Sequence, residues 1–194
     1  MTRPEPLQQL LDVLLPVMRA RAPEGAAQHS LDRIAQAAAT VAAPGAGPQR
    51  LPVCTWFDQV LEAPPAEPDL AALFASLQAV SPLLPWRRRS GGATASANFD
   101  ADHANAMLLG PGGIEQRHDI WLGMSLLAPR TRYPDHRHTP EETYLVLSPG
   151  QFRHGDSDWF EPGMGGSFYN TPDILHAMRA DKAPLFALWA LWAG

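Results

Sequence analysis

The sequence predicts a mainly β protein of the α+β kind, in which a helical N-terminal region (residues 1–85) packs on a C-terminal β-barrel (residues 86–194). Three observations carry that prediction. Up to Pro85 the apolar residues recur at three- and four-residue steps, the period of a helix. Beyond it they alternate at two residues, the period of a strand. Glycine and proline then cut this second part into many short runs at close spacing, which indicates a sandwich or small barrel.

Taken in order, Leu7, Leu10, Leu11, Leu14 and Met18 make one apolar stripe on a helix near 5–20. Ser30 is placed to cap a second helix, with Arg33 where a full capping box would have Glu or Gln. Leu31, Ile34, Ala38 and Val41 form its buried face, and Ala43-Pro-Gly-Ala-Gly-Pro48 then breaks the chain. Trp56, Phe57, Val60 and Leu61 mark a third helix, stopped by Pro64-Pro65. Asp69 caps a fourth, whose stripe is Leu70, Leu73, Phe74 and Leu77. The helices are expected to cover the barrel, its mouth being one place for them. After the loop Ser90-Gly-Gly-Ala-Thr-Ala-Ser96, the candidate strands are His103–Leu109, Ile120–Leu127, Glu142–Leu147, Gln151–His154, Ser167–Asn170, Ile174–Arg179 and Leu185–Trp192.

Composition narrows the function. With 194 residues, 45% of them hydrophobic and 18% charged, the chain can bury a full core. A net charge of −5 would repel a phosphate backbone, and Trp86-Arg-Arg-Arg89 is too short a basic run to reverse that; it reads as a solvated loop. No nucleic-acid partner is expected. Cys54 is the single cysteine, so neither an internal disulfide nor a cysteine zinc cluster can form, which suits a reducing cytoplasm. Arg3 and the leucines after it have the outline of a signal peptide, but Glu5, Gln8, Gln9 and Asp12 interrupt the apolar run and favour an amphipathic helix. No stretch approaches the roughly 20 apolar residues of a membrane span.

The chemistry is concentrated in Tyr133-Pro-Asp-His-Arg-His-Thr-Pro-Glu-Glu-Thr-Tyr144, which holds two of the chain's three tyrosines. His136 and His138 are two apart and share one face of an extended segment. After the interruption at Thr139-Pro140, Glu142, Tyr144 and Val146 share a face of the next strand, with Glu141 pointing the other way as a solvated neighbour. A turn at the proline lets His138, Glu142 and Tyr144 converge, and His176, on a later strand, closes the set. One carboxylate, one phenol and two imidazoles suit zinc, iron, manganese, nickel or cobalt as a single divalent ion. His29, His103, His118 and His154 read as ordinary core or surface histidines.

His136-x-His138-x3-Glu142, Gly150, and then Gly166-x5-Pro172-x3-His176 resemble the two motifs of the cupin superfamily, whose members are small jelly-roll barrels. The match departs at Arg130 and Ile174, which stand where the motifs have glycine, and at Ala180 in place of the last asparagine; Gly150 comes one residue late and the proline-to-histidine gap is one residue short. More narrowly, residues from about Tyr133 to Arg179 resemble the cupin-type dimethylsulfoniopropionate lyases of marine bacteria, the DddQ kind.

That resemblance implies a carbon–sulfur lyase that cleaves a small zwitterion, dimethylsulfoniopropionate, to dimethyl sulfide and acrylate. It implies His138, Glu142, Tyr144 and His176 as metal ligands, Tyr144 as the catalytic base, Tyr133 as its helper on the substrate side, and His136 beside the metal orienting substrate. The sulfonium calls for aromatic faces, each worth roughly 0.5–2 kcal/mol; Tyr133, Phe160, Tyr169, Trp189 and Trp192 are the candidates, with Trp189 taken as substrate-binding although core packing is the simpler reading for both tryptophans. The alternatives are a cupin oxygenase or isomerase acting on another small carboxylate, marked by three-histidine-one-glutamate iron coordination, and a non-catalytic small-molecule-binding cupin. Cupins commonly pair, so a homodimer is expected on that ground alone.

Overall fold

The leucine stripe of the first helix is buried along its whole length, with Leu7, Leu10, Leu14 and Met18 fully inaccessible. The computed structural model describes residues 2–194. Its helical part comprises α1 (Glu5–Arg21), α2 (Ala26–Ala38), α3 (Thr55–Leu61) and α4 (Pro68–Val80). A one-turn helix, α5 (Phe99–Asp102), leads into β1 (His103–Leu109) and β2 (Ile120–Leu127). There follow β3 (Glu141–Val146), β4 (Gln151–His154), β5 (Ser167–Asn170), β6 (His176–Arg179) and β7 (Leu185–Trp192).

Two expected caps are not caps. Helix α2 starts at Ala26, entered through Gly25 at a φ of 88° that a residue with a side chain rarely adopts, so Ser30 lies inside the helix and is buried. Helix α4 starts at Pro68, which needs no N–H partner in the first turn; Asp69 behind it instead accepts a hydrogen bond from Arg21 of α1 at 2.8 Å. Strand β3 starts and ends one residue earlier than expected, and β6 begins only at His176. The delay has a cause: Asp173 takes a left-handed φ of 58° and turns the chain just before the strand.

Five strands form one antiparallel sheet in the order β1-β2-β7-β3-β5, and β4 pairs with β6 in a second. Strand pleating gives the large sheet two different faces. Ala104, Ala106, Leu122, Met124, Leu126, Leu145, Phe186 and Leu188 share one apolar cluster with the leucines of α1, α2 and α4. The opposite face carries Leu127, Tyr144, Val146, Phe168, Leu185 and Ala187, and Phe152 of β4 and Met178 of β6 close over it. The helices therefore cover the outer face of the large sheet, not the barrel's mouth.

The junction is ionic as well as apolar. Arg3 grips Glu115 of the β1–β2 connection with two hydrogen bonds of 2.7 and 3.0 Å and also reaches the Ala38 carbonyl at 2.8 Å. Both charged side chains are almost wholly buried. Burial opposes ionisation of Glu115, but Arg3, the Ala42 N–H and Arg117 outweigh it and hold the carboxyl below its ordinary value. A depressed pKa of this kind gives stability that is fully present above the ordinary value of 4.5 and is lost as the pH falls through the folded value. Glu115→Ala leaves Arg3 buried without its partner and is expected to cost about 3–5 kcal/mol, a drop in Tm of roughly 10 °C. Thermal melts across the acid range should show the gap between wild type and variant closing below pH 4.5.

Candidate functional site

The segment after β2 runs extended beside β6 and is pinned to it by backbone hydrogen bonds. Tyr133 N–H donates to the Met178 carbonyl at 2.9 Å, and His136 and His176 exchange N–H···O bonds of 3.0 and 2.9 Å. The Asp173 N–H donates to the His138 carbonyl at 3.0 Å, tying the turn before β6 to the same segment. Arg130, where the motif has glycine, holds the φ of 62° that a glycine would supply. On the facing sheet, β3 sets Glu142 opposite Asn170 and Leu191, and Tyr144 opposite Phe168 and Trp189.

His136, His138 and His176 come together, each offering a nitrogen within 4.8 Å of the others. Glu142 Oε2 lies 3.5 Å from His138 Nε2 and 3.3 Å from His176 Nε2. The other ring nitrogens fix the tautomers. His136 Nδ1 lies 3.0 Å from the Pro134 carbonyl, His138 Nδ1 2.8 Å from that of Pro140, and His176 Nδ1 2.9 Å from that of Ile174. A carbonyl oxygen only accepts, so every Nδ1 carries a proton. In the neutral rings Nε2 is then a lone pair.

Glu142, 4% exposed, has a carboxyl whose ionisation burial opposes; the adjacent His138 and His176 outweigh that and hold its pKa well below the ordinary value. Burial likewise opposes protonation of His138, but Glu142 beside it raises the pKa above the usual value. Burial, with His176 nearby, pushes His136 down to about 3. His176 Nε2 is buried without a hydrogen-bond partner. A lone pair and a carboxylate oxygen 3.3 Å apart repel each other, and a cation between them resolves the conflict. The donor set thus fits a divalent metal, with second-contact carbonyls of the kind that orient metal-binding histidines.

Tyr144 lies on the inner face, 3% exposed and stacked on Phe168 at 4.9 Å between ring centroids. Burial first, and the Glu142 charge second, push its phenol well above the ordinary value. Tyr133, Tyr144, His136, His138, Glu142 and Trp189 all line one cavity of about 120 Å³. Of the other aromatic candidates, Tyr169 bonds Glu141, Trp192 lies under Arg33, and Phe160 packs on Phe152 and Phe168. None of those three lines the cavity. Glu141 is not a free surface acid either, since it also pairs with Arg33 of α2.

Four polar or aromatic residues of the cavity wall escaped the sequence reading: Arg89, Asn105, Trp121 and Ser125. Arg89 belongs to the run read as a solvated loop, and it donates to the Tyr133 hydroxyl at 3.3 Å while lying over that ring. Asn105 Nδ2 donates to the same oxygen at 3.1 Å, and its Oδ1 accepts from Ser125 Oγ at 2.7 Å. Ser125 accepts in turn from the Trp189 indole N–H at 3.0 Å. The one available signal was a polar residue, Asn105 or Ser125, at an inward position of a mostly apolar strand. Gly123 permits the arrangement, because a Cβ there would fall 2.4 Å from the Trp189 ring.

A dimethylsulfoniopropionate (DMSP) lyase family model matches residues 26–187. The DMSP lyase DddQ from Ruegeria pomeroyi DSS-3 superposes with a TM-score of 0.74 at 22% identity, covering 97% of this chain and 92% of that one. A chain from the crystal structures of the DMSP lyases RdDddP and RnDddQII gives 0.70 at 22%, covering 96% and 92%. A cupin 2 conserved barrel domain protein from Rhodopseudomonas palustris gives 0.46 at 14%, covering 57% and 72%. No curated protein matches the sequence. With a family match over most of its length and the fold shared end to end, the chain belongs to the dimethylsulfoniopropionate lyase family.

Proposed function

We propose that the protein is a metal-dependent carbon–sulfur lyase that cleaves dimethylsulfoniopropionate to dimethyl sulfide and acrylate by base-catalysed β-elimination. The observation that carries this reading is the convergence of His138, His176 and Glu142 beside a phenol, Tyr144, that lines the same cavity as His138 and Glu142. In the reaction Tyr144 takes a proton from the carbon next to the carboxylate. The C–H electron pair becomes the new C=C bond, the C–S bond breaks, and its pair leaves on sulfur as neutral dimethyl sulfide.

His138, Glu142 and His176 would hold the ion, with the Tyr144 oxygen as the further donor and His136 beside the ion on the substrate side of the cavity. When bound, a divalent cation supplies the positive charge that favours the Tyr144 phenolate and offsets charge developing at the substrate carboxylate. Without such a charge Tyr144 is a poor base, because burial and Glu142 both favour its neutral form. Tyr133, bonded by Arg89 and Asn105, keeps its own hydroxyl proton free for the substrate side of the cavity. The faces of Trp189, Trp121 and Tyr133 receive the sulfonium.

The second reading, a cupin oxygenase or isomerase acting on another small carboxylate, is favoured by the nearness of His136 to the other two histidines. Oxygen consumption on turnover would mark it. The lyase reading expects dimethyl sulfide in the headspace above purified protein given dimethylsulfoniopropionate, with acrylate in equal amount and no oxygen consumed. Tyr144→Phe is expected to lower that release by roughly 100-fold or more while circular dichroism shows the fold intact. Chelation should abolish release, and metal analysis should find about one divalent ion per chain in wild type and a marked deficit in His176→Ala.

A further inference from the structure

Behind Glu142 lies a second pair of side chains that the reaction above does not use. Asn170 is 1% exposed and stands directly across from Glu142 in the β3–β5 ladder. Its Nδ2 donates to Glu142 Oε2 at 3.1 Å. That is the same carboxylate oxygen that faces His138 and His176. The amide can aim its N–H at Glu142 only if its oxygen is satisfied on the other side. His154 does this, with Nδ1 at 2.8 Å from Asn170 Oδ1. The amide oxygen only accepts, so His154 Nδ1 carries the proton and the chain of donation runs from His154 to Asn170 to Glu142.

His154 is itself braced. Its ring packs at 5.2 Å from Phe160 and edge-on at 5.8 Å from Phe168, and β4 places it opposite His176 in the β4–β6 ladder. A flipped Asn170 would turn its oxygen toward a carboxylate and its N–H groups toward a ring N–H, losing both bonds and gaining two repulsions. The amide therefore has one stable orientation, and Glu142 has one preferred rotamer.

We infer that Asn170 and His154 are positioning residues, a two-step buttress that holds the Glu142 carboxylate in ligand geometry for a divalent cation; this rests on the metal-centre reading above. Contacts of this order behind a ligand typically change metal affinity by about 10–100-fold.

Cobalt(II) tests it directly on the full chain freed of metal, through its affinity measured against a chromophoric chelator and its visible absorption spectrum. Asn170→Ala is expected to weaken affinity about 10–100-fold and to alter the spectrum. His154→Phe, which keeps a ring against Phe160 and Phe168 but removes the donor, should weaken affinity in the same direction. His154→Asn, which returns an N–H near the Nδ1 position, should recover most of the loss. Because His154 acts through Asn170, the double variant Asn170→Ala/His154→Phe should bind no more weakly than Asn170→Ala alone. If Asn170→Ala does not fold, the two His154 variants carry the test by themselves. Wild-type affinity and spectrum in His154→Phe, or failure of His154→Asn to restore them, overturns the buttress while leaving the metal centre standing. A wild-type chain that binds no cobalt overturns both.

Discussion

Each imidazole of the site gives its Nδ1 proton to a backbone carbonyl two residues away, and most of the local architecture serves that arrangement. Two of the three carbonyls belong to prolines, Pro134 and Pro140. A proline has no N–H to commit to a ladder, and it interrupts strand pairing on its own side of the chain. Its carbonyl is then free to take a side-chain proton. The prolines that break up the segment Tyr133–Tyr144 are thus part of what orients the histidines. With the three protons placed on Nδ1, the remaining nitrogens face one another and a carboxylate, an arrangement that fits a cation at its centre.

The barrel meets this requirement by using the two faces of one sheet for unlike purposes. The outer register of β1, β2 and β7 is apolar, and together with Leu145 of β3 it is sealed by the helices. The other register carries Asn105, Ser125, Glu142, Tyr144 and Trp189. A slip of one residue in any of these strands would exchange the faces, burying the polar set under leucines. The apolar seal on the outer face therefore fixes the register on which the inner, reactive face depends. Arg3 and Glu115 add an ion pair to that seal, tying the N-terminal residues to the turn between β1 and β2.

Much of this was legible in the sequence, and the misses have physical causes. Strands with period-two alternation and glycine or proline at their ends could be read almost to the residue, because local chemistry fixes both their faces and their limits. The convergence of His136, His138, His176 and Glu142 could be read because histidines and a glutamate at strand spacing share a face. The start of α2 could not, because Gly25 opens the helix without any side-chain cap to announce it. Arg89, Asn105, Trp121 and Ser125 were hidden for another reason. They reach the cavity from a loop and two strands outside the histidine segment, and only the pairing order of the sheet brings them to it. His154 looked ordinary for the same reason, since its partner Asn170 lies on a different sheet.

That pairing order also bears on the proposed chemistry. Elimination breaks a C–H bond on one carbon and a C–S bond on the next, so the base and the surface that receives the departing sulfide must sit side by side. Tyr144 and Trp189 are direct partners across the β3–β7 ladder. Partners of this kind hold their Cβ atoms about 5 Å apart, so the phenol and the indole border the same part of the cavity. Trp189 packs closely on Gly123, has its N–H committed to Ser125, and lines the cavity with its ring. An aromatic face attracts a sulfonium but holds a neutral sulfide only by dispersion. In the proposed reaction the wall next to the base would bind the substrate's cationic end and loosen its grip as the bond breaks, which would favour product release without any further residue taking part.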